Sequence, residues 1–557
     1  MFSSSFTAKL GTNYCPRDEE LDEIRELLVE PSKRLEEIEQ QIQKTTKILG
    51  QLRAQQASLL AHVEAHKALI SPLRRLPVEL VEEIFSACLP VARNCVMSAT
   101  EAPVILGRVC RSWRTISLTM PRLWSRLHIV EPTRPFNSPY GVFESKLSQR
   151  LEVTKTWLER SGECPLSISL ESNLDHGLTP PLTPSNHTSL NTNLFLEALL
   201  PYAARWQNIR LVVPPWALEN LSRLTEHDVP ILRRLKIFQR PDHPNSAPQW
   251  AIFDLFRAPQ LAEFSISGSS VNPSALPLRW EQLTSLSIIG PAWGVGHIQT
   301  MSNVLRVLSK CPALQVCKLL VNASDAVELH STELRARCPA LHTMELTCVG
   351  APLQTADHLL ARLSLPVLRN FRLRGQGEPH AGSCEGFANS LAALSTLETV
   401  TFDGDSFSRA SLASVVRRLP LSLRRLQIAD LVHTWHANFE VGVLDDELLK
   451  ALSPSPLNPD PWCPGLQELV ITHCNMVSDM GLLHFVESRM SNYGGRPLTT
   501  VQVSFDREEQ MDIRPRLEKF GLKLNLMYLT PAPFQFSPWQ GLREGSGMFP
   551  FTPYAAF

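Results

Sequence analysis

The sequence predicts an α/β chain in three parts: a long amphipathic helix, a small helical module, and an irregular array of strand and helix repeats. Three observations carry that prediction. Apolar residues fall on a heptad grid from Leu21 to Ile70, short amphipathic segments around one large Trp follow up to residue 127, and a pattern apolar at its first, fourth and sixth positions recurs from Trp206 to Val503. The 557 residues allow roughly three or four average domains or one long array. Lys+Arg 54 against Asp+Glu 55 leaves a net charge of -1, so no global positive field draws the chain onto nucleic acid or membrane. Hydrophobic residues at 43% supply a sizeable core.

Residues 1–17 carry neither a basic segment followed by an apolar stretch nor any periodicity, and are expected to be disordered. The expected helical segment, 18–71, places Leu21, Leu28, Leu35, Ile42 and Leu49 on one seam position and Ile24, Ile38, Leu52 and Leu59 on the other, with Glu, Gln, Lys and Arg between them. Pro31 falls on the seam, where a missing donor and a clash predict a break, so the main helix is expected from 32 to 70 with Ser32 as its N-cap. The seam suits either self-association through residues 21–70 or docking on the rest of the chain. Twelve cysteines without a Cys-x-x-Cys read as reduced and mostly buried, and with no apolar run of about 18 residues the expected location is cytoplasm or nucleus.

Between 72 and 127 stand Leu76-Pro77-Val78-Glu79-Leu80-Val81-Glu82-Glu83-Ile84-Phe85, then Leu106-Gly107-Arg108-Val109-Cys110-Arg111-Ser112-Trp113-Arg114, then Pro121-Arg122-Leu123-Trp124. Pro77 suits a first helical turn, and the apolar residues repeat at helical spacing around a core small enough to invite a partner. The three pieces in this order resemble the F-box, a helical module that docks a Skp-family adaptor and through it a cullin-based ubiquitin ligase. The resemblance implies that Leu76, Pro77, Leu80, Ile84, Phe85, Leu106, Val109, Cys110 and Trp113 divide between the module's core and the adaptor groove. Residues 91–101 look like an inserted loop.

Residues 128–193 read as a connector holding a helix that closes on Gly162, a strand at 164–170 and a Pro-rich loop. From 194 to 530 the repeated pattern includes Leu232-Leu235-Ile237, Leu341-Met344-Leu346 and Leu466-Leu469-Ile471, with steps between first positions from 22 (Leu261 to Leu283) to 43 (Leu423 to Leu466). Most are near the roughly 20 to 29 residues of leucine-rich repeats, each one strand and one helix able to bury an apolar face only against neighbours. The expected architecture is an irregular leucine-rich-repeat solenoid with a stiff Pro-rich bulge at 453–461. Residues 531–557 form an aperiodic tail expected to be disordered. The order of helix, F-box, Trp157-Leu158-Glu159-Arg160-Ser161-Gly162, Arg205-Trp206 and repeats resembles the large F-box and leucine-rich-repeat family of mushroom-forming fungi.

No phosphate-binding loop or nucleophile elbow occurs; His62 and His66 stand at a spacing that can hold a metal but lack the Glu directly after the first His and read as a solvated helix face, Gly375-Gln376-Gly377 lacks the third glycine of a dinucleotide fingerprint, and His473-Cys474 fits a buried thiol beside a loop His. The expectation is a non-catalytic chain without cofactor or metal. It would act as a substrate receptor, with a scaffold that recruits an adaptor without ubiquitin transfer as the alternative. Strand alternation would turn Lys318, Glu345, Arg372, Arg374 and Asp403 to the concave side as a mixed-sign, target-binding strip.

Overall fold

The computed structural model describes residues 4–70, 72–132, 140–172, 186–239, 249–268, 271–290, 300–322, 334–376, 384–430, 442–454, 460–491 and 496–529. They form two compact units, Met1–Ile84 and Phe85–Phe557, and the boundary falls inside the segment expected to be one module at 72–127. The expected tail lies outside the described residues, as does most of the Pro-rich bulge.

In the first unit, helix α1 (Asp18–Leu69) runs through Pro31 without a break. This corrects both the break and the Ser32 cap: proline forfeits one backbone bond, and the many turns on either side outweigh that loss. The cap is Arg17, whose N–H donates to Glu20 Oε2 at 2.9 Å. Residues 4–17 are not disordered as expected, because they fold back on this first turn. Lys9 Nζ lies 3.0 Å from Glu20 Oε1, and the Tyr14 hydroxyl donates to Oε2 at 2.8 Å. The Arg17 N–H, Tyr14 and Lys9 together hold the Glu20 carboxyl down to about 2. The seam residues Leu28, Leu35, Ile42 and Leu49 are all exposed. Helix α2 (Val78–Ala87) crosses into the second unit.

The second unit opens with α3 (Leu106–Val109) and α4 (Arg111–Thr119), where Trp113 meets the buried Phe85 ring edge-on at 4.8 Å. Next come β1 (Arg126–Val130), α5 (Tyr140–Arg160), β2 (Leu166–Glu171), α6 (Asn186–Leu199) and β3 (Trp206–Val213). The strands continue as β4 (Arg234–Gln239), β5 (Glu263–Ser267) and β6 (Ser285–Ile289), then α7 (Met301–Ser309) leads to β7 (Val316–Asn322). After β8 (Ala336–Arg337) and β9 (Thr343–Val349) come α8 (Pro352–Leu360), β10 (Leu363–Ser364), β11 (Asn370–Gln376) and α9 (Glu385–Ala392). Then follow β12 (Thr399–Asp403), α10 (Arg409–Arg417), β13 (Arg425–Ala429), α11 (Asp446–Ala451) and β14 (Glu468–Cys474). The last elements are α12 (Asp479–Met490), β15 (Thr500–Phe505), α13 (Arg514–Leu517) and β16 (Lys523–Met527).

Fourteen of these strands make one parallel sheet in chain order, while β8 and β10 pair with each other. The architecture is thus α/β, with a long N-terminal helix and a repeat-like parallel sheet. The pairings keep one register apart from shifts between Leu166 and Ser167 and between Ile471 and Cys474, so the apolar positions stack into ladders: one runs Ile209, Leu235, Phe264, Leu286, Cys317, Met344, Phe371, Val400, Leu426, Leu469 and Val501, all buried. These are the fourth positions of the eleven expected repeats. The ladder extends through Leu127 and Ile168 at one end and Leu524 at the other, so the expected connector is instead the beginning of the sheet. Three of its strands were not expected as repeats: β1, β2, which the sequence places in the connector, and β16. A helix in every repeat is also corrected: between β3 and β6 the described connections are 3-10 segments, and apart from Pro215–Arg223 they span only three or four residues, the length at which the tighter 3-10 turn is usual.

The expected inserted loop has a structural task. Val96 bridges His128 in parallel, and Arg126 donates to Arg93 O at 2.6 Å, so residues 91–101 cover the open edge of β1. The Ser161 and Arg205 motifs meet as a clamp. Arg205 Nη2 donates to Ser161 Oγ at 2.6 Å and to Cys164 O at 2.9 Å, while Trp157 packs edge-on against Trp124 at 4.7 Å. Near the other end, the buried Arg489 guanidinium donates to the carbonyls of Leu452, Trp462 and Cys463 at 2.7 to 3.1 Å, tying the chain that leads into β14. Burial pulls its pKa down to about 10.

Candidate functional site

Strand alternation turns every second residue of the sheet to the face opposite the apolar ladders. One such ladder runs His128, Ser169, Arg210, Lys236, Ser265, Ser287, Lys318, Glu345, Arg372, Thr401, Gln427, Val470, Gln502 and Asn525. With the single exception of Val470 it is polar, in contrast to the buried apolar ladders of the other face.

The five charged residues expected to line a target strip do come together. Lys318, Glu345 and Arg372 are direct partners on β7, β9 and β11, and Arg374 and Asp403 lie one row on. Lys318 Nζ is 3.0 Å from Glu345 Oε2, and Arg374 Nε is 3.5 Å from Glu345 Oε1 and 3.3 Å from Asp403 Oδ2. Arg372 Nη2 donates to Asp403 Oδ1 at 3.3 Å. The two carboxylates are the more deeply placed, with side chains 13% and 17% exposed, and the cations lie over them. Burial raises the pKa of both acids. For Glu345 the Lys318 hydrogen bond and three cations outweigh it and the carboxyl lies below its ordinary range; for Asp403, Arg372 and Arg374 offset burial only in part and the pKa stays raised. The strip is therefore largely closed on itself.

A different arrangement stands where the strands begin. Arg369, Glu398, Arg424 and Gln467 immediately precede β11, β12, β13 and β14, and each N–H donates to the carbonyl of the one before: Glu398 to Arg369, Arg424 to Glu398 and Gln467 to Arg424, all at 2.8 Å. They lead into a cleft of about 270 Å³ lined by Arg369, Glu398, Leu421, Arg424, Gly465 and Arg496, with Ser395, Thr396 and Ser422. None of these was singled out in the sequence. The available signal was a charged residue directly after the first apolar position of successive repeats, at Leu368-Arg369, Leu397-Glu398 and Leu423-Arg424.

The F-box-like residues divide by exposure. Phe85 and Leu106 are buried and Leu76 and Trp113 half-buried, whereas Pro77, Leu80, Ile84, Val109 and Cys110 are exposed, with Leu80 at 51% and Val109 at 59%. Cys474 is buried, and burial pushes its thiol up to about 12, while His473 lies 3.2 Å from Asp506. All twelve cysteines are free thiols. Among the described residues no metal-holding cluster occurs and no helix is long and apolar enough to cross a membrane.

No protein family and no curated protein matches the chain. Solved structures similar to it include the complex of Rad7 and Elc1 in yeast, at 11% identity over 84% of this chain and 97% of that one, with a TM-score of 0.33. A second is the TLR13 complex with the single-stranded RNA ssRNA13, at 15% identity over 57% of this chain and 48% of that one, with a TM-score of 0.23.

Proposed function

We propose that the chain is a non-catalytic substrate receptor of a cullin-based ubiquitin ligase: residues 76–113 dock a Skp-family adaptor, and the polar face and strand-entry edge of the sheet hold a protein target. The observation that carries this reading is the F-box-like pattern with Leu80, Ile84 and Val109 left exposed while Phe85 and Leu106 are buried. Exposed apolar residues within so short a segment favour a covering partner. The receptor would act by proximity, raising the concentration of a target beside the ubiquitin-carrying subunit. The half-exposed seam of α1 fits a second copy of the chain as its partner.

The test is affinity purification of the tagged full chain, with adaptor and cullin as the expected companions. Leu80→Asp combined with Val109→Asp alters exposed positions, so it should remove both companions while the sheet's melting temperature is kept. Absence of the adaptor from the wild-type complex, or its retention by the variant, counts against the reading. Light scattering of the full chain tests the α1 pairing, which Leu35→Glu with Ile42→Glu should abolish.

A further inference from the structure

The two ends of the sheet's apolar core are finished differently. At β1 the first rung, Leu127 and Ile129, is fully buried, and residues 91–101 cover the open edge. At the far end β16 pairs with β15 alone among the described residues, and its rung, Leu524 and Leu526, is only half-buried although the partner residues Val501 and Val503 are buried. Met527 and Leu529, 46% and 52% exposed, extend that apolar surface toward the point where the chain leaves the sheet. The exit itself is held firmly. Buried Asp479 accepts from Arg507 Nη2 at 2.7 Å, from the Met511 N–H at 2.8 Å and from the Tyr528 hydroxyl at 3.2 Å. Tyr528 stacks on Phe505 at 4.7 Å, and the Leu529 N–H donates to Arg507 O at 3.0 Å. An apolar rung and an unpaired strand edge left open on a rigid frame invite association, and repeat arrays generally end in a covering element.

We propose that the chain's own C-terminal segment, residues 531–557, covers this end, with Phe534 and Phe536 packed on Leu524 and Leu526. The segment carries seven aromatic residues among 27, against 7% aromatic in the whole chain, and only Arg543 and Glu544 in it are charged. Segments that stay in solvent are poor in aromatic residues, so this composition calls for an apolar surface. Pro531, Pro533 and Pro538 oppose a helix. In an extended backbone, Phe534 and Phe536 project to the same side at the two-residue interval that also separates Leu524 from Leu526. Thr530 to Pro533 suffice to reverse the chain, as hairpin loops of roughly two to five residues do, and so bring these rings back along β16. The prolines lack the donors that a continuous ladder needs, so the segment supplies packed side chains and not another strand. A second copy or a foreign partner meets the same surface only at its solution concentration. A segment tethered at Leu529 meets it at an effective concentration on the order of millimolar.

In the full chain, a benzoylphenylalanine photo-crosslinker is placed at position 536, and isotopically light and heavy preparations are mixed before irradiation. The expected products join position 536 to residues 523–529 of the same chain. Amide hydrogen exchange along β16 is followed in parallel on the full chain. Phe534→Ser with Phe536→Ser should quicken it at least roughly tenfold, because the rung and its strand edge lose their cover. Phe549→Ser with Phe551→Ser, at the other end of the segment, should leave it unchanged. Both pairs lie outside the sheet, so the melting temperature should hold in either variant. Crosslinks that join light chains to heavy ones would give the surface to a second copy, and crosslinks that miss residues 523–529 would take the segment elsewhere; either result overturns the proposal. So does β16 exchange that is the same in the Phe534 and Phe536 variant as in the wild type, or that responds instead to the Phe549 and Phe551 variant.

Discussion

Two charged regions of the sheet lie only a few residues apart along the same strands and treat their charges in opposite ways. At Lys318, Glu345, Arg372, Arg374 and Asp403, every cation has a carboxylate within 4.0 Å. At the strand entry, Arg369 and Arg424 flank Glu398 with no ion pair formed. The difference comes from backbone position. Within a parallel ladder, side chains of paired residues stand side by side about 4.8 Å apart, so opposite charges placed there meet. At the entry, Glu398 and Thr399 both donate to the one carbonyl of Arg369, and Arg424 and Arg425 both to Glu398, so the chain is still turning into the strand. Charges in the first region pair across the strands, and those in the second form no ion pair among the described residues.

The strongest way to break this contrast is Arg372→Glu with Arg374→Glu. The sequence alone suggests a surface change without thermal consequence; the ion pairs predict instead four carboxylates forced together and a loss of about 3 to 5 kcal/mol, measured as a lower urea midpoint. An unchanged midpoint would show that the strip is solvated after all. Glu345→Ala should come next, at about 2 kcal/mol, since Lys318 loses its Glu345 partner, Arg372 and Arg374 keep only Asp403, and part of the cations' charge reaches water.

Acid sharpens the comparison further. The folded pKa of Glu345 lies below its ordinary 4.5, so its contribution is present above that value and is lost as pH falls through the lower folded one. Asp403 has the opposite sign: its folded pKa is raised above 3.8, so the folded chain binds protons first and gains stability as pH falls through this window. Asp403→Asn removes that gain and should make the urea midpoint fall more steeply with acid than in the wild type. A shallower fall would reverse the assignment. The smallest effect is expected at the cleft, where the Arg369, Arg424 and Arg496 triple alanine variant should remain within about 0.5 kcal/mol of wild type.

The repeat ladder was legible because each apolar position has to face the core, whatever the connecting segments do. Leu235, Met344 and Leu469 were placed by that constraint alone, and their register followed. The strands β1 and β16 were harder to read: Trp124, Leu127 and Ile129 keep the repeat spacing but fall at the end of the segment that resembles the helical module, and Leu524 with Leu526 has Gly521 where the pattern needs its first apolar residue. Pro31 misled for a related reason, since a local cost was weighed without the length of helix that absorbs it.

For the candidate site, the sequence by itself determined which residues are charged and that Lys318, Glu345, Arg372, Arg374 and Asp403 share one face, because side-chain direction in a strand has period two. Only the tertiary structure decided which charges answer one another. Pairing depends on distances across strands some 27 to 31 residues apart in the chain, as from Lys318 to Glu345 and from Arg372 to Asp403, and on whether the backbone has straightened into the ladder. Arg369 and Arg372 are the same residue type three positions apart. Arg372 stands mid-strand within reach of an acid and Arg369 stands at the turn into the strand, so the fold closes one and leaves the other open.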